Sequence, residues 1–426
     1  MDESVEFLYS KFLQSDGVST DTRKIQRGEL FFALSGPNFN GNKFAAKALE
    51  AGATFAVIDD PSFDTGERTL LVEDSLRALQ ELGTFHRSRF KRPVFALTGS
   101  NGKTTTKELI ARVLSKKYDI HATTGNLNNQ IGVPLTLLEI HPQVEIAVIE
   151  MGASKVGDIA ELCSFARPTH GLITNIGRAH TETFGGIEGV LRGKSELFDY
   201  LRQHDGTAFV NEADPRLAPM VKRLEGGHPY PSRDLRRVGV QPFVSFELAG
   251  QVYPTQIVGG YNYANIAAAV AVGRYFEVAD VDIADAIASY IPSDRRSEVT
   301  RKGDLEIIVD AYNANPDSML AALEDFAGRG GEKTVVLGDM LELEHSEDEH
   351  RQLGEWLESS SIDNILLIGP LMASAAAAVM RSRHFGSVGD LMKALEGLSF
   401  SKGSILLKGS RRMALEELVH NINPDK

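Results

Sequence analysis

The stretch that decides the fold is ALTGSNGKTTTKELI, residues 96–110. An apolar run ends at Leu97, small residues follow, and a helix pattern begins near Gly102. A strand, a glycine turn and a helix in this order can bind phosphate, because backbone N–H groups approach the oxygens and the helix N-terminus is partly positive. The usual phosphate-loop pattern has a glycine where this chain has Leu97. The stretch alone therefore also fits a glycine turn capped by threonines.

The rest of the chain alternates strand patterns with helix patterns. Apolar runs rich in strand formers lie at residues 28–34, 53–59, 94–97, 145–152, 170–177, 206–211, 305–313, 333–340, 364–370 and 403–410. Strands that alternate with helices predict parallel sheets covered on both faces, and such sheets bind ligands at the carboxyl ends of their strands. The predicted fold class is α/β with three domains, at residues 1–90, 91–292 and 293–426.

Composition narrows the class of protein. The chain has 426 residues and a net charge of −13, which argues against a general nucleic-acid surface because such surfaces are normally basic. Its one cysteine, Cys163, excludes an internal disulfide and lies in an apolar helix pattern typical of a core. The longest apolar runs, such as residues 266–272, are too short to span a bilayer, and no secretory signal is recognisable. We therefore expect a cytoplasmic protein without membrane insertion, and no feature demands more than a monomer.

Five residues near strand ends are candidates for phosphate and metal chemistry. Lys103 can reach the β- and γ-phosphates of a nucleotide, and Thr104 can hold Mg²⁺ through its hydroxyl. Glu150 ends a strand pattern and offers the carboxylate oxygen that Mg²⁺ prefers, although an exposed acid is the alternative. His180 follows the next strand pattern and could equally be structural. Lys194 fits a solvated lysine, an ammonium that neutralises phosphate, or a carbamate formed with CO₂, which needs a buried amine of lowered pKa.

These motifs, taken in order, resemble the Mur ligase family, the ATP-dependent amide-forming enzymes of peptidoglycan synthesis. The shared segments are TGSNGKTTT, EMGAS, AHTETFGG and KSELF. The family has T-G-[ST]-N-G-K-[ST] in place of the longer glycine spacing, so Leu97 is no defect. Within the family, four segments resemble the member that adds D-alanyl-D-alanine to a UDP-N-acetylmuramoyl-tripeptide; they lie at 125–138, 310–319, 337–350 and 406–419.

The resemblance implies a role for individual residues. For ATP it implies contacts from Thr98, Gly99, Ser100, Asn101, Gly102, Lys103, Thr104, Thr105, Asn262, Asn265 and Arg296. For the UDP-sugar peptide and D-alanyl-D-alanine it implies contacts from Ser19, Thr20, Asp21, Arg23, Asn126, Asn129, Asp310, Asn313, Asn315, Lys408, Ser410 and Arg411. Thr104 and Glu150 would hold one Mg²⁺, and His180 with carbamylated Lys194 a second. Lys103, His180 and Lys194 would be the catalytic residues.

Two positions depart from the family pattern. Tyr261 stands where the family usually has histidine beside the adenine, and Arg295 stands where glycine usually precedes Arg296. The resemblance therefore does not extend to these two positions.

The implied reaction is amide formation driven by ATP. The first domain would hold the UDP-sugar, the central P-loop-type ATPase domain would hold ATP, and the Rossmann-like C-terminal domain would bring the amine. Two alternatives stay open at this point. A nucleotide-binding switch would share the loop but would not need Glu150, His180 and Lys194. A related ligase, including one of the folylpolyglutamate type, would use another amine.

Overall fold

A computed structural model describes residues 3–224, 227–292, 295–395, 397, 400 and 402–422. The expected domain limits at residues 1, 293 and 426 lie outside these ranges, as do Ser293 and Asp294 of the SDRRSE segment. Among the described residues, no helix is long and apolar enough to cross a membrane.

The N-terminal part is a small parallel sheet with helices on both faces. Its sheet has the order β1-β2-β5-β6, and Leu30 and Phe32 pack on one face while Phe31 packs on the other. This follows from the alternation of side chains along a strand. Its elements are α1 (Glu3–Phe12), β1 (Val18–Ser19), β2 (Leu30–Phe32), β3 (Ser35–Gly36), β4 (Phe39–Asn40), α2 (Ala45–Glu50), β5 (Phe55–Ile58), β6 (Thr69–Leu71) and α3 (Ser75–Arg89).

The central part is a six-stranded parallel sheet with the order β12-β11-β10-β7-β9-β8. A separate antiparallel sheet of three strands, β13-β14-β15, packs beside it. The elements are β7 (Val94–Thr98), α4 (Lys103–Leu114), β8 (Ile120–Ala122), α5 (Gly132–Leu138), β9 (Ile146–Glu150), α6 (Asp158–Ala166), β10 (His170–Ile173), α7 (Thr181–Phe184), α8 (Ile187–Gln203), β11 (Thr207–Asn211), β12 (His228–Tyr230), β13 (Arg236–Gly239), β14 (Ser245–Leu248), β15 (Gln251–Pro254), α9 (Tyr263–Tyr275) and α10 (Asp280–Ala288).

Strand β7 lies in the middle of the central sheet, between β10 and β9. Phe95 and Leu97 pack under the helices α4 and α9, whereas Val94 and Ala96 pack on the opposite face. Both faces are buried, so the residues from Val94 to Leu97 are all apolar. The phosphate-loop stretch therefore begins at the centre of the sheet, with the ends of β9 and β10 on either side.

The C-terminal part is a second six-stranded sheet, with the order β16-β17-β21-β18-β19-β20. Only its edge strand β16 runs antiparallel to its neighbour. The elements are β16 (Glu298–Lys302), β17 (Asp304–Asp310), α11 (Pro316–Ala327), β18 (Lys333–Gly338), α12 (Ser346–Ser359), β19 (Asn364–Ile368), α13 (Met372–Ala378), β20 (Ser382–Phe385), α14 (Val388–Leu395), β21 (Lys402–Lys408) and α15 (Leu418–Asn421).

Candidate active site

A cleft with a volume of about 550 Å³ opens where the central sheet faces the C-terminal sheet. The carboxyl ends of β7, β9 and β10 lie on one side of it, and those of β17 and β21 lie on the other. The predicted residues that line it are Ser100, Asn101, Gly102, Lys103, Thr104, Thr105, Asn129, Glu150, His180, Asn262, Asn265, Arg296, Asp310, Asn313 and Lys408.

The phosphate loop has a conformation that only its glycines allow. Gly99 and Gly102 have φ angles of +146° and +78°, and a Cβ at these positions would collide with Thr174 and Asn265. Helix α4 begins directly afterwards at Lys103, so its unpaired N–H groups lie beside the cleft. The Lys103 ammonium donates to the Gly99 carbonyl at 2.8 Å, and burial lowers its pKa. This geometry is suited to binding an anion.

The loop after β10 holds the phosphate loop in place. Asn175 Oδ1 accepts the Asn101 N–H at 2.9 Å, and Asn175 Nδ2 donates to the Asn101 carbonyl at 2.9 Å. Ser100 Oγ and Gly177 exchange two hydrogen bonds, at 3.0 and 2.8 Å. Thr98 lies beneath the loop at the end of β7, and its buried hydroxyl has no hydrogen-bond partner within the described ranges.

Two of the proposed Mg²⁺ ligands are in direct contact. The Thr104 hydroxyl donates to Glu150 Oε2 at 2.9 Å, and Asn128 Nδ2 donates to Glu150 Oε1 at 2.8 Å. Both ligand oxygens lie at the cleft, next to the phosphate loop. No group of three or more His, Cys, Asp or Glu side chains that could hold a metal ion is found among the described residues. A hydroxyl and a carboxylate still suit Mg²⁺, which takes few protein ligands and completes its shell with phosphate and water.

Lys194 and His180 lie behind and beside this pair. Lys194 is only 1% exposed and donates to the Ala153 carbonyl at 3.2 Å, so it is not a solvated lysine. Burial lowers the pKa of Lys194 well below its usual value, and the nearby Lys103 charge adds to the effect. His180 Nδ1 lies 2.6 Å from Glu342 Oε2 of the C-terminal part. Burial lowers the pKa of His180, while the Glu342 carboxylate opposes this.

The two predicted adenine-side asparagines form a buried chain of hydrogen bonds. Asn262 Nδ2 donates to the Val258 carbonyl at 2.7 Å, and Asn265 Nδ2 donates to Asn262 Oδ1 at 2.7 Å. Thr106 of helix α4 donates its hydroxyl to Asn265 Oδ1 at 3.0 Å. These hydrogen bonds thus connect the start of α9 to α4, the helix that follows the phosphate loop.

The two residues that depart from the family pattern, Tyr261 and Arg295, both lie at the segment around Arg296. Arg295 and Ser297 have φ angles of +61° and +56°, so the turn has the left-handed form without a glycine. Arg295 NH1 pairs with Glu416 Oε1 at 2.6 Å. The hydroxyls of Tyr261 and Ser297 are 2.9 Å apart. Tyr261 therefore connects the central part to the turn that carries Arg296.

Predicted site residues of the C-terminal part reach the cleft from the side opposite the phosphate loop. Lys408 Nζ pairs with Asp310 Oδ2 at 2.5 Å, and both side chains are largely buried. Asn313 lines the cleft and accepts the Ala314 N–H through its own side chain. Asn315 Nδ2 donates to Asn101 Oδ1 at 2.7 Å, which links helix α11 directly to the phosphate loop.

An ion-pair cluster also crosses between the central and C-terminal parts. Arg178 donates from its backbone N–H and its Nε to the Asp317 carboxylate, at 2.7 and 2.9 Å. Its NH1 pairs with Glu349 Oε2 at 2.9 Å. A Cβ on the preceding Gly177 would approach the Asp317 carboxylate to 2.7 Å. The two parts are thus closely apposed at the cleft.

Some predicted substrate residues do not lie at this cleft. Those of the N-terminal part are Ser19, Thr20, Asp21 and Arg23, and there Arg23 pairs with Asp21 at 2.7 Å on the surface. Asn126 is not among the residues lining the cleft, and Arg411 lies beside Tyr312 at its edge. Ser410 is buried and accepts the Leu341 N–H, which is a structural role. Their proposed substrate contacts stay predictions.

Sequence reasoning missed three residues that shape the site. Asn128 lies between the predicted Asn126 and Asn129 and orients Glu150; its backbone carbonyl also accepts the Gly152 N–H at 2.7 Å. Asn175 and Arg178 lie in the loop after β10. In the sequence, Asn175 and Arg178 lie between the end of a predicted strand and His180, and this position could have marked them as candidate site residues.

Family models and a curated relative that match this chain point to the same family. Three family models match the chain: "Mur ligase family, catalytic domain" at residues 14–85, "Mur ligase middle domain" at 97–273, and "Mur ligase, glutamate ligase domain" at 295–411. The UDP-N-acetylmuramoyl-tripeptide–D-alanyl-D-alanine ligase of Bacillus subtilis is 36% identical over 95% of this chain and 93% of its own length.

Solved structures show the same architecture. A crystal structure of MurF from Acinetobacter baumannii has a TM-score of 0.88 and 29% identity, and covers 99% of this chain and 98% of its own. The MurF ligase of Thermotoga maritima, solved in complex with ADP, has a TM-score of 0.83 and 28% identity, and covers 96% and 97% of the two chains.

Proposed function

This chain belongs to the Mur ligase family, and we propose that it is the ATP-dependent ligase that joins D-alanyl-D-alanine to a UDP-N-acetylmuramoyl-tripeptide. The observation that carries the proposal is the cleft in which the phosphate loop of the central part faces Asp310 and Lys408 of the C-terminal part. The name of the Bacillus subtilis relative supports the choice of substrates, and the ADP complex of the Thermotoga maritima relative supports ATP as the nucleotide.

The proposed chemistry has two steps. A carboxylate of the tripeptide attacks the γ-phosphorus of ATP, which gives an acyl phosphate and ADP. The amine of D-alanyl-D-alanine then attacks the acyl carbon, and inorganic phosphate leaves. Two anions approach each other in the first step, so the main contribution of the protein is charge neutralisation and alignment. Lys103 and the N–H groups at the start of α4 are placed to supply both.

The position of the cleft between two domains supports a second contribution. An acyl phosphate is destroyed by water, and a cleft closed by two domains excludes water from it. Asn101, Arg178 and His180 already contact the C-terminal part across this cleft. We infer that these contacts belong to the closed, reactive arrangement.

We further propose that Thr104 and Glu150 hold one Mg²⁺, and that His180 and a carbamate on Lys194 serve a second. Bound Mg²⁺ would neutralise charge on the nucleotide phosphates. Burial supports the carbamate, because a lowered pKa leaves the Lys194 amine free to react with CO₂ at neutral pH.

Removing the Lys194 side chain tests the carbamate. We expect Lys194→Ala to lose most ligase activity, and short carboxylic acids such as formate to restore part of it, because they replace the missing oxygen ligand. The matched control is Lys103→Ala, which formate should not restore. The carbamate proposal fails if formate has no effect on Lys194→Ala, or if a crystal structure of the wild type with bound metal shows an unmodified Lys194 far from the metal.

We retain three further proposals from the sequence: the domain limits 1–90, 91–292 and 293–426, a monomeric state, and a cytoplasmic location. The small N-terminal sheet would hold the UDP-sugar. The single cysteine is buried, which agrees with a protein that uses no disulfide.

A panel of amines tests the substrate assignment. ADP release is measured with UDP-N-acetylmuramoyl-tripeptide and, in turn, D-alanyl-D-alanine, meso-diaminopimelate, L-lysine and L-glutamate. We expect turnover with D-alanyl-D-alanine alone among the four. Turnover with another amine would instead support a related ligase, and ATP hydrolysis without any amine would support a nucleotide switch.

A further inference from the structure

Tyr312 is a cleft residue that none of the roles above assigns. It follows strand β17, whose last residue is Asp310, and it lines the cleft. The centre of its ring lies 3.5 Å from the guanidinium carbon of Arg296 and 4.9 Å from that of Arg411. One aromatic ring therefore contacts cations from two separate segments of the chain.

Arg296 differs in its partners from the two lysines of the cleft. Lys408 is paired with Asp310, and Lys103 donates to carbonyls of its own loop. Arg296 has no ion pair within the described ranges, and its buried Nε has no hydrogen-bond partner there. A guanidinium without a carboxylate in a partly buried position is stabilised by an anionic ligand. Its close protein contact is the face of Tyr312.

The backbone fixes Arg296 relative to Tyr312. Arg295 and Ser297, on either side of Arg296, are both left-handed. The Ala311 N–H donates to the Arg295 carbonyl at 3.1 Å, immediately before Tyr312. The neighbouring backbone thus holds the Arg296 guanidinium and the Tyr312 ring close together, so their contact does not depend on the flexible side chains alone.

We propose that Tyr312 is a positioning residue, whose ring holds the Arg296 guanidinium so that its N–H groups bind the phosphates of the nucleotide. Stacking of a planar guanidinium on a ring face leaves the N–H donors at its edge free for phosphate oxygens. Arg411, at the same ring, adds positive charge at the edge of the cleft. The inference rests on the proposed function, because it assumes that the anion is a nucleotide.

Two variants separate the ring from the hydroxyl. Tyr312→Leu removes the aromatic face, and Tyr312→Phe keeps it. We expect Tyr312→Leu to raise the KM for ATP and the Kd for ADP by roughly three- to thirty-fold, the range that a cation–π contact supplies, with a smaller change in kcat. Tyr312→Phe should stay within about two-fold of wild type in both quantities. ADP affinity is measured by calorimetry, and thermal unfolding checks that each variant is folded.

A double-mutant cycle tests whether Tyr312 acts through Arg296. On an Arg296→Gln background, Tyr312→Leu should weaken ADP binding no further, because the cation that it positions is gone. Should Tyr312→Leu fail to fold, Arg296→Lys replaces it. Lysine keeps the charge but lacks the planar group, so we expect a comparable loss of ADP affinity.

Three results would overturn the proposal. They are wild-type ADP affinity in Tyr312→Leu, or in Arg296→Lys where that variant replaces it; an equal loss in Tyr312→Phe; and additive losses in the double variant. Failure of the proposed function gives a different pattern: the wild type would bind ADP and respond to these substitutions, yet would not release ADP in the presence of tripeptide and D-alanyl-D-alanine.

Discussion

Arg295 adopts a left-handed backbone that glycine adopts more easily. Its φ angle is +61°, and its side chain pairs with Glu416 at 2.6 Å. The ion pair and the hydrogen bond from the Ala311 N–H to the Arg295 carbonyl together stabilise the turn that contains Arg296. The chain thus adopts a left-handed turn at this position without a glycine.

This explanation predicts an order of stability between two substitutions. Arg295→Gly and Arg295→Ala both lose the ion pair with Glu416, but only glycine avoids the Cβ penalty at positive φ. We expect the alanine variant to be less stable than the glycine variant by about 1 kcal/mol. Thermal unfolding followed by circular dichroism measures the difference. Equal stabilities, or a more stable alanine variant, would show that the turn is not left-handed in solution.

At the same scale, the strand, the glycine turn and the helix of the phosphate loop could be predicted from the sequence, whereas the residues that support the loop could not. Gly99, Gly102 and Lys103 are readable because the loop is local and each has a distinct physical requirement. Asn128 and Tyr312 act through contacts with residues that are distant in sequence or lie on another strand end. Such contacts leave no local pattern, so only the folded chain reveals them.

Helix α11 connects the C-terminal part to the phosphate loop through its first residues. Asn315 caps the helix by accepting the Ser318 N–H, and Ser318 Oγ accepts the Asn315 N–H. The Asn315 amide also donates to Asn101. One side chain therefore both stabilises the helix and joins the two parts.

Two substitutions of Asn315 separate these roles. Serine can still cap the helix but is too short to reach Asn101, whereas alanine can do neither. We expect Asn315→Ala to destabilise α11 by about 1 kcal/mol, which speeds backbone amide hydrogen exchange in the first turn of the helix. Asn315→Ser should leave the exchange rate near that of the wild type. Both variants should show reduced kcat/KM for ATP, because both lose the contact with the loop. A serine variant with full activity would mean that the contact between Asn315 and Asn101 has no functional role.

The predicted elements were confirmed where strands are apolar and buried, as in β7, β9, β10 and β18. The antiparallel strands β13 and β15 and the edge strand β16 were not predicted. Their residues are mostly exposed or half-buried, and β16 reads EVTRK, so the apolar pattern that marks a strand is absent. Edge strands are held by one neighbour and by tertiary contacts, which the local sequence does not encode.

On the scale of the whole molecule, the site forms where two α/β parts meet. The central sheet supplies the phosphate loop and Glu150, the C-terminal sheet supplies Asp310 and Lys408, and the cleft lies between their strand ends. From the sequence, only the placement of binding residues at the carboxyl ends of parallel strands was predicted. The sequence did not predict the crossing contacts of Arg178 with Asp317 and Glu349, which depend on how the two parts are oriented.

We propose that phosphate passes from ATP to a substrate carboxylate before the amide forms. An isotope experiment tests this step: tripeptide substrate whose carboxylate oxygens are ¹⁸O is incubated with ATP and D-alanyl-D-alanine in ordinary water. We predict that each inorganic phosphate released carries one ¹⁸O atom, because an acyl phosphate leaves with one carboxylate oxygen. The Lys103→Ala variant should release almost no phosphate. Phosphate without ¹⁸O, released at the wild-type rate, would mean that water attacks ATP and would contradict the account.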